Sequence, residues 1–107
     1  MPFATVYPLY VNKVVRKGQS VDNLDTAIRW LTGFSDTELR QHIEANSSFA
    51  EFFSAARLNP NAGLITGVIC GVRVENIEDP LMQKIRYLDK IVDEVAAGKS
   101  MEKILRK

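Results

Sequence analysis

Leu64-Ile65-Thr66-Gly67-Val68-Ile69-Cys70-Gly71-Val72-Arg73-Val74, LITGVICGVRV, is the stretch on which the fold class turns. Its β-branched content alone makes it a strand, because Val, Ile and Thr pack well on a pleated surface and lose side-chain freedom in a helix. Its spacing supports the opposite. A helix capped by Asn61 puts Leu64, Ile65, Val68, Ile69 and Val72 on one face and stacks Gly63, Gly67 and Gly71 in a column at i+4 spacing. Three glycines inside a helix cost about 1 kcal/mol each relative to alanine, so tight packing over the column has to recover that. A lone strand has no evident partner elsewhere in the chain. The buried helix is the favoured reading, and a short strand or hairpin at 64–74 is the alternative.

On either side of this stretch the punctuation is helical. Thr5 can cap a first helix with Pro8 in its first turn, where the missing N–H is harmless, and with Tyr7, Val11, Val14 and Val15 as its apolar face until Gly18. Ser20 can cap a second helix, whose Leu24, Ala27, Ile28 and Leu31 keep helical spacing up to Gly33. Ser35-Asp36-Thr37-Glu38 and Ser48-Phe49-Ala50-Glu51 both read as capping boxes, with Phe34 and Leu39 at the staple positions of the first. Phe49, Phe52, Phe53 and Ala56 cover one face of the helix opened by the second, before Asn59-Pro60 breaks it. Asp79-Pro80 opens the longest helix, with Leu81, Ile85, Leu88, Val92 and Val95 on one side and Gly98 as its stop. Ser100 starts a last turn or two that faces inward through Met101, Ile104 and Leu105. The expected architecture is all-α, a compact single domain over 1–107 with five or six short helices; the α+β arrangement with a strand or hairpin at 64–74 is its alternative.

Composition bounds the function. A chain of 107 residues, 46% hydrophobic and 25% charged, suits one globular domain, and no internal repeat, low-complexity tract or linker divides it. Fourteen Lys+Arg against 13 Asp+Glu leave a formal charge of +1, which argues against a domain built mainly to hold nucleic acid. One Cys and one His exclude a disulfide framework and a zinc site of the His/Cys type, so neither metal nor cofactor is expected. No apolar run reaches the roughly 18 residues of a membrane span, and Met1-Pro2-Phe3-Ala4 lacks the basic and apolar regions of a signal peptide. The expected setting is cytoplasmic, with no membrane contact, and the mature chain is expected to be the whole chain.

Candidate chemistry is sparse. Cys70 is a nucleophile only if a base such as His42 or Arg73 stabilises its thiolate, and its neighbours Ile69, Gly71 and Val72 make it a small buried hydrophobe instead. His42, among Arg40, Gln41 and Glu44, reads as a surface histidine. The turn Leu31-Thr32-Gly33-Phe34-Ser35 has the form of a helix-turn-helix that would aim Thr37, Arg40 and Gln41 at bases, but Asp36, Glu38 and Glu44 outnumber Arg40 there. Basic residues gather near 13–17 (Lys13, Arg16, Lys17) and 99–107 (Lys99, Lys103, Arg106, Lys107), where they also compensate helix dipoles. The glycines match no phosphate loop. Thr66, Arg73, Glu75, Arg86, Tyr87 and Asp89 supply polar groups around the glycine column, and Arg73, Glu75, Arg86, Tyr87 and Asp89 form the candidate binding set, set against simple surface pairing. The aromatics Tyr7, Tyr10, Trp30, Phe34, Phe49, Phe52 and Phe53 would mark a protein interface if left outside, whereas the spacing within 49–53 lets them fill the core.

FATVYPLYV at 3–11, AIRWLTGF at 27–34, the block LITGVICGVRVENIEDPLMQKIRYLDKIVDE at 64–94 and SMEKILR at 100–106, taken together, resemble the bacterial family catalogued as domain of unknown function 2200. The resemblance spans about Phe3 to Lys107 and implies a small cytoplasmic bacterial protein with no assigned activity and no catalytic residues to carry over. Members usually have a few more residues ahead of the Phe-Ala-Thr/Ser-Val-Tyr-Pro stretch, on which this chain almost starts. The functional expectation is a non-enzymatic protein-interaction or ligand-binding module, with a homodimer or another protein as partner. A DNA-associated protein using the basic residues near 13–17 and 99–107 is the alternative, and a small enzyme using Cys70 or Arg73 comes third.

Overall fold

The capping residues set most of the helix boundaries. In the computed structural model, which describes residues 2–69 and 71–106, the helices are α1 Phe3–Arg16, α2 Val21–Thr32, α3 Asp36–Glu44, α4 Phe49–Ala55, α5 Pro80–Ala96 and α6 Met101–Ile104. Ser20, Ser35, Ser48 and Asp79 each accept from the backbone of the turn they open, and the capping boxes at Ser35/Glu38 and Ser48/Glu51 are both closed. Gly33 terminates α2 in the left-handed conformation, φ 73°. Its carbonyl accepts from Arg57 Nη2 at 2.7 Å, which ties the α2–α3 turn to the end of α4.

The first helix departs from the sequence reading. It begins at Phe3 rather than after Thr5, because the Phe3 N–H is fixed on Ser47 O at 2.8 Å and Pro2 bridges Ser48. Pro8 therefore sits inside the helix. The buried face is Phe3, Tyr7, Tyr10 and Val14, with Val11 half-buried and Val15 turned outward. Tertiary contact at the N-terminus has overridden the local cap.

The decisive stretch is not a helix. Pro60–Leu64 makes one 3-10 turn, entered through Asn59, whose side chain accepts from Asn61 N at 2.8 Å. Then β1 Val68–Ile69 pairs antiparallel with β2 Val72–Arg73, Val68 opposite Arg73 and Ile69 opposite Val72, and a second 3-10 turn follows at Val74–Asn76. Gly67 at φ 113° and Gly71 at φ 77° adopt positive φ that a right-handed helix cannot contain, so the glycines supply turns rather than a column. A side chain on Gly63 or Gly71 would meet nothing within 4 Å, and Gly67 faces only the flexible end of Lys90. The expected buried strip is likewise lost: Leu64, Val68 and Val72 are exposed, while Ile65 and Val74 enter the core and Ile69 packs partly against it. The strand that lacked a partner in the sequence finds one three residues on. The all-α frame holds, and the hairpin of the alternative is built into it.

The aromatics fill the core. Phe3 stacks on Phe52 with ring centroids 4.0 Å apart, and Phe34 and Phe53 meet Phe52 edge-on at 5.1 and 5.2 Å. Leu24, Ile28 and Leu31 of α2 join Leu88, Ile91 and Val92 of α5, with Ile104 closing the layer from α6. α1 and α5 run side by side in the same direction. Tyr10 meets Asp89, Lys13 pairs with Asp93, and the Gln19 amide lies 3.1 Å from where a Gly98 side chain would begin.

Candidate functional site

The five residues proposed from sequence fall into two pairs and a core side chain. On β2, Arg73 Nε donates to Glu75 Oε1 at 2.8 Å, and Glu75 Oε2 accepts the Gly67 N–H at 3.2 Å, which closes the base of the hairpin. Those contacts, led by backbone N–H groups and followed by Arg73, hold the Glu75 carboxyl below the usual range. On α5, Arg86 Nη1 donates to Asp89 Oδ2 at 2.7 Å, while Asp89 Oδ1 accepts the Tyr10 hydroxyl at 2.7 Å. Burial, then the Asp89 carboxylate, pushes the Tyr10 phenol far upward. Tyr87 is buried, and that burial raises its phenol. Gln83 Nε2 donates to Val74 O at 3.2 Å and fastens the hairpin base to α5. Around these groups the described residues leave no cavity or cleft able to enclose a small molecule.

A second polar cluster has no counterpart in the sequence reading. Asp25, 5% exposed, accepts the Tyr7 hydroxyl at 2.5 Å on one oxygen and Arg40 Nη2 on the other, and Arg40 Nη1 also reaches the Tyr7 hydroxyl at 3.2 Å. This triad ties α1, α2 and α3 together. It also removes Arg40 from the role of base reader in a helix-turn-helix, because the guanidinium is committed to Asp25. No local motif announces such a triad; only Asp25 within the apolar face of α2 hints at a buried partner.

A third cluster locks the C-terminal turn. Glu94, 4% exposed, accepts Arg106 Nη2 at 2.7 Å and Lys99 Nζ at 3.4 Å on Oε2, while Arg106 O accepts Asn61 Nδ2 at 3.0 Å. Two of the basic residues near 99–107 are thus spent on a buried carboxylate, and Lys13 on Asp93. Arg16, Lys17 and Lys103 remain exposed and make no ion pair among the described residues. The α1 and α5 C-termini that carry Arg16, Lys17 and Lys99 do lie at one end of the molecule.

Among the described residues, His42 and Ser47 are the one histidine and its hydroxyl partner. His42 is half-buried rather than solvated, its ring 4.8 Å from Phe34 and 5.5 Å from Phe52, with Nδ1 on Ser47 Oγ at 2.9 Å. Ser47 is itself buried under the start of α1, closed to a substrate. Cys70 lies outside the described residues. No group of three or more His, Cys, Asp or Glu among the described residues is placed to hold a metal ion.

The family described as "uncharacterized protein conserved in bacteria (DUF2200)" matches residues 1–106. The crystal structure of "uncharacterized protein SP1917" is 42% identical, with a TM-score of 0.91 over 98% of this chain and 87% of that chain. No curated protein matches the chain.

Proposed function

The chain belongs to the bacterial family DUF2200, and on that premise we propose that it is a non-enzymatic protein-interaction module whose working surface is the hairpin and the first turn of α5. One observation carries this reading. Leu64, Val68, Val72 and Met82, four of the six large exposed hydrophobics among the described residues, lie on a segment where nothing in the core needs them. Single exposed hydrophobics are ordinary, but four along one segment, Leu64 ending the 3-10 turn, Val68 and Val72 on the hairpin and Met82 in the first turn of α5, favour contact with another macromolecule. Arg73 and Glu75 then belong to the polar rim of that surface, with Arg86 and Asp89 on the neighbouring face of α5. The absence of an enclosed cleft among the described residues weighs against small-ligand binding at the same five residues. One cysteine, unable to form an internal disulfide, suits the cytoplasm as the setting.

A thermal-shift screen against metabolites, nucleotides and duplex DNA tests the reading. A ligand present at a hundred times its Kd stabilises the fold by about 2.7 kcal/mol, a rise of about 10 °C in a domain of this size. The interaction reading expects no such rise from small molecules or nucleic acid. A large shift with a metabolite would move the function to ligand binding. A shift with DNA that vanishes on adding salt would promote the DNA-associated reading, which the gathering of Arg16 and Lys17 beside Lys99 supports.

A further inference from the structure

We propose that residues 99–106 form a strap that opens and closes together with the turn leading into the hairpin, so that the C-terminal segment governs how firmly the hairpin is held. Its use as a regulator rests on the interaction reading above, whereas the coupling is a property of the free chain.

The strap cannot hold itself. α6 has four residues, Ser100 gives it no side-chain cap, and a single helical turn is unstable in water without tertiary support. Support on the inner side comes from two residues. Ile104 is completely buried where α6 packs on α2 and α5, and Arg106 reaches back to Glu94 on α5. The polar anchor is only half built. Glu94 takes both cations, Arg106 at 2.7 Å and Lys99 at 3.4 Å, on Oε2, while Oε1 is buried with no hydrogen-bond partner among the described residues. The desolvation of a buried carboxylate is offset only when its remaining lone pairs also find donors. Lifting the strap returns Glu94, Arg106 and Lys99 to water, a gain that opposes the exposure of Ile104. Opposed terms of this size let the strap open at a lower free energy than the whole fold, as moving segments do.

A further tie leads away from α5. Arg106 O accepts Asn61 Nδ2 at 3.0 Å, and Asn61 lies in the 3-10 turn Pro60–Leu64, which is followed by Ile65, the last buried residue before β1. Asn59 fixes the start of that turn on α2, its N–H on Leu31 O at 2.9 Å and its Nδ2 on Trp30 O at 3.2 Å. Between Asn59 and the hairpin base, the Asn61 bond to Arg106 is the one side-chain hydrogen bond to another element among the described residues. Opening the strap removes this tie from the turn, and loosening the turn removes it from the strap, so the coupling is reciprocal. A terminus that merely frays has no such partner and opens alone. A macromolecule bound at the hairpin that prefers either state of the turn shifts the strap with it.

Native-state amide hydrogen exchange of the full chain tests the proposal, with Leu88–Val92 of α5 as the reference for the whole fold. The N–H groups of Lys103, Ile104 and Leu105, bonded within the strap, should exchange about a hundredfold faster than the reference or more. Arg106→Ala keeps the backbone carbonyl and removes the charge-assisted bond. Relative to the reference, it should speed exchange about tenfold in the strap and at Ala62 and Ile65 alike. Asn61→Ala keeps the Asn61 N–H on Asn59 Oδ1 and should act in the other direction, speeding exchange at Lys103, Ile104 and Leu105. It carries the test alone if Arg106→Ala does not fold. The proposal is overturned if the strap exchanges no faster than Leu88–Val92, if Arg106→Ala speeds the strap and leaves Ala62 and Ile65 unchanged, or if Asn61→Ala leaves the strap unchanged. None of these outcomes alters the interaction reading of the hairpin, which the thermal-shift screen decides.

Discussion

Removing the Asp25 carboxylate should destabilise the fold more than removing either of its partners. Asp25 is 5% exposed and holds the Tyr7 hydroxyl at 2.5 Å while pairing with Arg40. In Asp25→Ala the buried hydroxyl loses its acceptor, a loss of about 1–3 kcal/mol, together with a charge-assisted bond. The ion pair itself adds little. The Arg40 side chain is 43% exposed and has Asp36 3.6 Å away, so it returns to water and a second carboxylate, and that part is worth about 0–1 kcal/mol. The total is about 2–4 kcal/mol. Tyr7→Phe deletes one hydroxyl and leaves Asp25 paired with Arg40, so it should cost about 0.5–1.5 kcal/mol. Arg40→Ala leaves a nearly buried carboxylate with one neutral donor and should fall between them. Urea melts with unchanged m-values measure all three. The reasoning fails if Asp25→Ala lies within error of wild type, if Tyr7→Phe costs more, or if the Tyr7/Asp25 double variant is simply additive, since groups in contact must couple.

Three further outcomes follow from named contacts. Gly33→Ala should cost more in urea melts than Gly18→Ala by about 1 kcal/mol or more: both glycines have left-handed φ, 73° and 78°, but only at Gly33 would the new Cβ sit 2.8 Å from the Arg57 carbonyl, and equal losses would contradict this. Tyr7 and Tyr10 have phenols raised by burial and by Asp25 and Asp89, so the fold favours their neutral forms; their contribution is intact below about pH 10 and lost as pH rises further, and Tyr10→Phe should flatten alkaline unfolding curves. Glu38 and Glu51 are lowered by capping bonds to Ser35 and Ser48, so their contribution is present above the ordinary carboxylate pKa and lost as pH falls below it. Glu38→Ala should accordingly destabilise at neutral pH in urea melts, with the gap to wild type closing in acid, and a gap that does not narrow would refute the cap's electrostatic share; Ser35→Ala, which deletes the neutral hydroxyl acceptor of the Glu38 N–H and keeps the Ser35 N–H on Glu38 Oε1, should cost about 0.5–2 kcal/mol.

What the sequence makes legible is local chemistry. The serine caps, the Asp79-Pro80 start and the apolar spacing of α2 and α5 are written within a few residues, and the structure has them where the spacing puts them. The 64–74 stretch misleads because its apolar spacing fits a buried helix, whereas positive φ at Gly67 and Gly71 builds a hairpin that leaves Leu64, Val68 and Val72 exposed. Glycine spacing looks the same on paper whether it opens room for a neighbour or permits positive φ. The start of α1 is hidden for a different reason, since its true anchor is Ser47, more than forty residues away. The candidate site divides in the same way. Arg73 with Glu75 and Arg86 with Asp89 pair as sequence neighbours can, but Tyr10 on Asp89 and Asp25 with Arg40 depend on how α1, α2, α3 and α5 cross, which no local pattern encodes.

The most direct test of the claim that Leu64, Val68, Val72 and Met82 are kept for contact with another macromolecule rather than for the fold is a set of urea melts in which each is replaced by serine. The account predicts a change of no more than about 0.5 kcal/mol at each position, as for surface residues that support no core. Losses of about 2 kcal/mol or more at these positions would contradict it, because the residues would then belong to the folded core.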